Sequence, residues 1–186
     1  MLKKVVIKGP ILSRSGYGEQ ARFALRALRS RPDLFDIYTI NTSWGHTGQI
    51  TNADEEANFI HETVLKAQQY IQQKGQFDIS LQVTVPNEFE KIAPVNIGYT
   101  AGIETTKVSP QWIDKSNGTV DKIIVVSNHS KKVFEYTKYD VKDQDGNDHK
   151  GWGIQVPVQT VNYPVRMHDP EEVNIEFKTS KNFLVV

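Results

Sequence analysis

The sequence predicts an α/β domain: a parallel sheet with helices on both faces. Three observations predict it. Short apolar runs, Val5-Val6-Ile7 and Ile123-Ile124-Val125-Val126, have the continuous character of strands covered on both sides. Between the strand-like runs lie segments whose apolar residues repeat at helical spacing. The two kinds alternate as in βαβ units. Right-handed crossovers then bring every loop that follows a strand to one edge of the sheet.

Val5–Ile7 is the first strand, and a glycine-containing loop from Gly9 to Gly18 follows it. Glu19 to Arg29 reads as a helix: Ala21, Ala24, Leu25 and Leu28 share one face, and Arg22, Arg26 and Arg29 are expected to point outward. Pro32 and Asp33 end it, and Phe35 to Ile40 is the second strand. After a loop from Asn41 to Gln49, Asn52 or Asp54 caps a long helix that reaches about Gln73, and Gly75 supplies its stop. Ile79, Leu81 and Val83 alternate with Asp78, Ser80 and Gln82, as in a strand with one more polar face. Pro86 breaks it, and a short helix is expected over Asn87–Ile92. Val95–Tyr99 and Lys122–Val126 are the next strands, with a short helix over Pro110–Asn117 between them and another over His129–Lys138. Around a turn-rich tip from Asp143 to Asp148, a small β-hairpin insertion is expected near 140–160, with Ile154–Val156 and Gln159–Val161 as its strands. Asn182–Val186 resembles the opening of a further strand.

A length of 186 residues suits one ordinary domain with a real core. The 22 basic and 22 acidic residues cancel, which argues against a general binder of nucleic acid or anionic membranes. Cysteine is absent, excluding disulfides, thiolate metal sites and a cysteine nucleophile. The apolar run at the N-terminus is too short for a signal peptide or a membrane span, so the cytoplasm is the expected compartment. The five histidines show no zinc-binding spacing, and no metal site is expected. Placing Gly146 at the sixth position of a calcium loop puts Val141 and Trp152 where carboxylates are required.

Ligands of open α/β sheets bind beyond the carboxyl ends of the strands, so the candidate site residues are sought there. Gly16-Tyr17-Gly18-Glu19-Gln20-Ala21 fits G-x-G-x-x-A, a variant of the dinucleotide fingerprint. However, Gly16 stands well beyond the first strand, and the second strand ends Ile40-Asn41 with no acid for a ribose. The glycines either bring backbone N–H groups to a phosphate or only shape a turn. Glu104 directly follows a buried strand, in a loop with Gly102, and is the sharpest single candidate. Ser127, Asn128 and His129 open a helix, with Ser127 or Asn128 as its cap and the helix start as a second anion site. His46 lies on another loop at the same edge.

Gly98, Tyr99 and Glu104, then Pro110 and Trp112, then Asp121 to Ser127, then Phe134 form a pattern that resembles the family 4 group of glycosyltransferases. The opening Lys8-Gly9-Pro10-Ile11-Leu12-Ser13-Arg14-Ser15-Gly16-Tyr17-Gly18 is similar to that family's glycine-rich loop, and Val161–Val165 to the stretch before its interdomain linker. The resemblance implies the GT-B architecture: two Rossmann-like domains facing a cleft, the first on the acceptor side and the second holding a nucleotide-sugar donor. It implies that 1–180 is the acceptor-side domain, that 181–186 begins a donor-binding domain absent from the chain, and that the chain alone is inactive. Sugar transfer to an acceptor hydroxyl with retained configuration, without cofactor or metal, is expected. Gly16, Tyr17 and Gly18 would approach the donor diphosphate, with Arg14 a candidate cation. Glu104 would act catalytically, with Thr100, Gly102, Ser127, Asn128 and His129 lining the substrate site. Many members carry a histidine just after the strand at Val95–Tyr99, where this chain has Thr100 and Ala101. A cleft made for a missing half would also favour self-association. The alternatives are a non-catalytic sugar- or partner-binding module and an NAD(P)-dependent oxidoreductase domain.

Overall fold

The computed structural model describes residues 1–51, 54–142 and 147–164. Its main sheet contains β1 (Lys3–Gly9), β2 (Phe35–Asn41), β3 (Ile79–Val83), β4 (Val95–Thr100), β5 (Lys122–Val125) and β8 (Val158–Thr160) in the order β2-β1-β3-β4-β5-β8. All five pairings are parallel. The helices are α1 (Gly16–Arg29), α2 (Glu55–Gln72), α3 (Pro110–Thr119) and α4 (Asn128–Tyr136), and β6 (Lys138–Lys142) pairs antiparallel with β7 (Asp148–Gly153). The fold is the expected α/β parallel sheet flanked by helices, Rossmann-like, with a small hairpin. Between β2 and β3 the chain passes from one side of β1 to the other. That reversal opens a crevice beyond the carboxyl ends of β1 and β3.

Strand alternation divides the core. Ile7, Val83 and Tyr99 meet Ala21, Ala24 and Leu25 of α1 on one face. Ile123, Val125 and Val158 meet Ile113 of α3 and Phe134 of α4 on the other. Because Ile124 and Val126 pack with the α1 cluster, the period-2 pattern of β5 is what separates these two cores. A third, smaller cluster joins Val6 and Tyr38 to Ala67 of α2 and Phe77.

Several expectations are corrected. Arg22 does not point outward: it is buried, with Nη1 donating to the carbonyls of Ile11 at 2.7 Å and Ser13 at 3.0 Å. Arg26 pairs with Glu56 and Arg29 with Glu55, which ties α1 to α2. Ser80 and Gln82 are fully buried, because residues 86–96 fold over them: Ser80 donates to Asn96, and Gln82 donates to the Glu90 carbonyl and accepts from its N–H. In place of a helix over Asn87–Ile92 there is one 3₁₀ turn, Pro86–Glu88. The hairpin strands are β6 and β7; Ile154–Val156 joins no strand, and Val158–Thr160 completes the main sheet beside β5. Asp54 caps α2. At its far end the left-handed residue is Lys74 (φ 57°), not Gly75, and Gly75 is needed because a Cβ there would collide with the Tyr70 ring. The tip at Asp143–Gly146, the strand at Asn182–Val186 and the domain boundary near 180 lie outside the described residues.

Candidate functional site

The site is built at the carboxyl edge of the sheet, beginning with the loop between β1 and α1. The buried Arg22 guanidinium holds two carbonyls of that loop and also reaches Glu19, so the loop is clamped from beneath. Gly18 sits where any Cβ would strike the Ser13 carbonyl oxygen, so α1 starts directly against the loop. Ser15 caps the helix, its Oγ accepting from the Gly18 N–H at 3.0 Å. Gly18 therefore has its N–H engaged. The N–H groups of Gly16 and Tyr17 have no partner among the described residues and lie at the positive end of α1. The Arg14 side chain reaches toward Thr51 Oγ1 at 3.5 Å. It lines a cavity of about 270 Å³ with Glu19, Asp54 and Glu56, beside the start of α2.

The loop after β2 lies against this one. Leu12 N–H donates to Asn41 Oδ1 at 3.1 Å, Ile50 N–H to the Leu12 carbonyl at 2.8 Å, and Arg14 N–H to the Gly48 carbonyl at 2.8 Å. Ser13 and Thr47 join their hydroxyls at 2.6 Å.

Beyond β4, Thr100 is fully buried and its hydroxyl lies 3.0 Å from the Tyr17 hydroxyl. Both of these candidates support the site through that contact, and the Thr100 side chain has no exposed surface for a ligand. Burial raises the Tyr17 phenol above its ordinary value, against the pull of its hydrogen bonds to Thr100 and Ala101. Gly102 turns the chain with φ +72°, a conformation that suits glycine. Ile103 and Val108 anchor the following loop in the core and leave Glu104 to Lys107 exposed. Glu104 makes no hydrogen bond or ion pair among the described residues.

The start of α4 closes onto the same loop. Ser127 is the cap, accepting from the Ser130 N–H at 3.0 Å. His129 Nε2 donates to the Thr105 carbonyl at 3.2 Å, one residue from Glu104. Asn128 is exposed, and the N–H groups of Asn128 and His129 have no partner among the described residues. Tyr17 at Ala101 and His129 at Thr105 thus bring two helix N-termini to one loop.

The arrangement offers spare backbone donors for an anion and one exposed carboxyl. Among the described residues no group of three or more His, Cys, Asp or Glu could hold a metal, and no helix is long and apolar enough to cross a membrane. Among the described residues, the large apolar side chains exposed in the loops at this edge are Val161 and Tyr163, after β8. Sequence reasoning missed Asn41, which binds the two loops together, and gave Trp44 no role; the signal for Trp44 was a large aromatic beside Gly45 in an otherwise polar loop. No family model, no curated protein and no solved structure matches this chain.

Proposed function

We propose that this chain is the acceptor-side half of a retaining glycosyltransferase. Together with a second, donor-binding half it would pass a sugar from a nucleotide-sugar to an acceptor hydroxyl. The observation that carries the reading is the convergence of the α1 and α4 N-termini on the loop of Glu104. Transfer breaks the bond between the sugar carbon and the diphosphate, and negative charge grows on the departing phosphate. Spare N–H groups at Gly16, Tyr17, Asn128 and His129, aided by helix dipoles, suit that charge. The Glu104 carboxyl suits the electron-poor sugar carbon or the incoming hydroxyl. A cytoplasmic setting belongs to the same proposal, as does self-association through surface made for the second half.

The second reading, a non-catalytic sugar- or partner-binding module, draws on Glu104 itself, whose exposed carboxyl has no described partner to orient it. The oxidoreductase reading lacks support at the end of β2, where Asn41 Oδ1 is taken by the Leu12 N–H and no acid faces a ribose.

Backbone NMR titration with UDP-, GDP- and ADP-glucose, and separately with NAD(P), tests the proposal. At least one sugar nucleotide is expected to shift the amides of Gly16, Tyr17, Asn128 and His129. Tight NAD(P) binding, or silence of all four amides toward all three sugar nucleotides, would overturn it.

A further inference from the structure

Of the three tryptophans, Trp112, on α3, and Trp152, on β7, pack against the core that holds Ile113 and Phe134. Trp44 joins none of the three apolar cores. Its ring neighbour is Tyr17, at a centroid distance of 4.4 Å and a tilt of 35°. An aromatic of this size usually contributes by burying its surface, so one left partly exposed at the site edge calls for another use.

The ring is nevertheless fixed. Tyr17 is tied by its hydroxyl to Ala101 and Thr100. The Trp44 carbonyl accepts from the Thr47 hydroxyl at 2.7 Å and its N–H at 3.2 Å, and Gly45 turns at φ +52°. The whole loop is laced to residues 12–14 by the bonds already described. The indole N–H, the Ser43 hydroxyl and the His46 imidazole have no partner among the described residues, and Ser43 and His46 are exposed.

We propose that Trp44 is a stacking platform for a pyranose ring, so that the acceptor is itself a sugar seated beside the start of α1. The inference rests on the transfer reading above. A pyranose presents an apolar C–H face bounded by hydroxyls. A flat indole with an open N–H and two polar neighbours answers both features. A nucleobase also stacks on aromatic rings, but its ribose would find Asn41 Oδ1 already occupied by Leu12.

The test labels the full chain with fluorotryptophan, whose fluorine resonances are assigned by single Trp→Phe substitutions. The probes are methyl α-glucoside, methyl α-mannoside, methyl β-galactoside and N-acetylglucosamine. At least one is expected to shift the Trp44 resonance while those of Trp112 and Trp152 stay in place. Trp44→Ala should weaken that sugar about threefold to tenfold, and Trp44→Phe less; because the wild-type shift is read directly, the result does not depend on either variant folding. The platform is overturned if no sugar moves Trp44, if all three resonances move alike, or if UDP, GDP or ADP moves it where sugars do not. A sugar response at Trp44 with silent helix-start amides removes the transfer reading and leaves the platform; the converse removes the platform alone.

Discussion

The Tyr17 hydroxyl donates to the Ala101 carbonyl at 2.9 Å and accepts from the Ala101 N–H at 3.1 Å, so the first turn of α1 is bolted to the residue that follows β4. One side chain thereby fixes the distance between the two loops on which the proposed chemistry depends.

Tyr17→Phe removes the bolt while keeping the ring. The Ala101 N–H and carbonyl and the Thr100 hydroxyl lose their partner, at a cost of about 1–3 kcal/mol. Urea denaturation should show a lower Cm at unchanged slope; an unaltered midpoint would contradict a structural role for the hydroxyl.

The paired substitutions Gly16→Ala and Gly18→Ala separate two uses of glycine. A Cβ at Gly16 meets nothing within 4 Å, whereas at Gly18 it collides with the Ser13 carbonyl. Gly18→Ala should cost about 1–3 kcal/mol and Gly16→Ala less than about 0.5 kcal/mol. Thermal melts of both variants check the contrast, and equal losses would refute it.

Glu104→Ala should leave stability within about 0.5 kcal/mol, because the side chain is exposed and unpaired among the described residues. On the proposed transfer reading, sugar transfer by this chain joined to a donor-binding half should fall about a hundredfold. Unchanged turnover would remove Glu104 from the site.

Stability should decline at both ends of the pH scale. Burial raises the Glu19 carboxyl, but hydrogen bonds from Arg26 and Arg22 outweigh it and hold the group below its ordinary 4.5. Its contribution is complete above that value and is lost as pH falls through the lowered native one. At the other end, burial pushes the Tyr99 phenol up from 10.0 to about 12. That contribution is complete below pH 10 and is lost between the two values. Urea midpoints measured across pH check both limbs. Arg26→Met should flatten the acid limb, and an identical acid profile in that variant would count against the pairing.

Much of the site's scaffold was legible because its signals are local. The apolar spacing of Ala21, Ala24 and Leu25 marks α1, and Ser127 is one of the two polar residues expected to cap α4. The Ser15 cap was not legible: the sequence pattern starts α1 at Glu19, because its first turn, Gly16 to Gly18, carries two glycines that read as loop. The roles of individual candidates were less legible. Thr100 and Tyr17 turned out to bind each other, and Gly18 answers to packing, since each depends on a neighbour far away in the chain. Trp44 looked like a loop residue because nothing nearby in sequence shows that Tyr17 stands under it.

The sequence by itself determined the order of β1 to β5 and α1 to α4, since periods of two and of 3.6 residues are properties of short segments. Only the tertiary structure decided which polar groups would be buried. Arg22 reads as an outward-pointing residue and Ser80 and Gln82 as the more polar face of a strand, yet each is enclosed by partners from residues distant from its own strand or helix turn. It also sent Val158–Thr160 to the main sheet and not to the hairpin, because a three-residue strand has too little pattern of its own and takes its place from the edge that β5 leaves open.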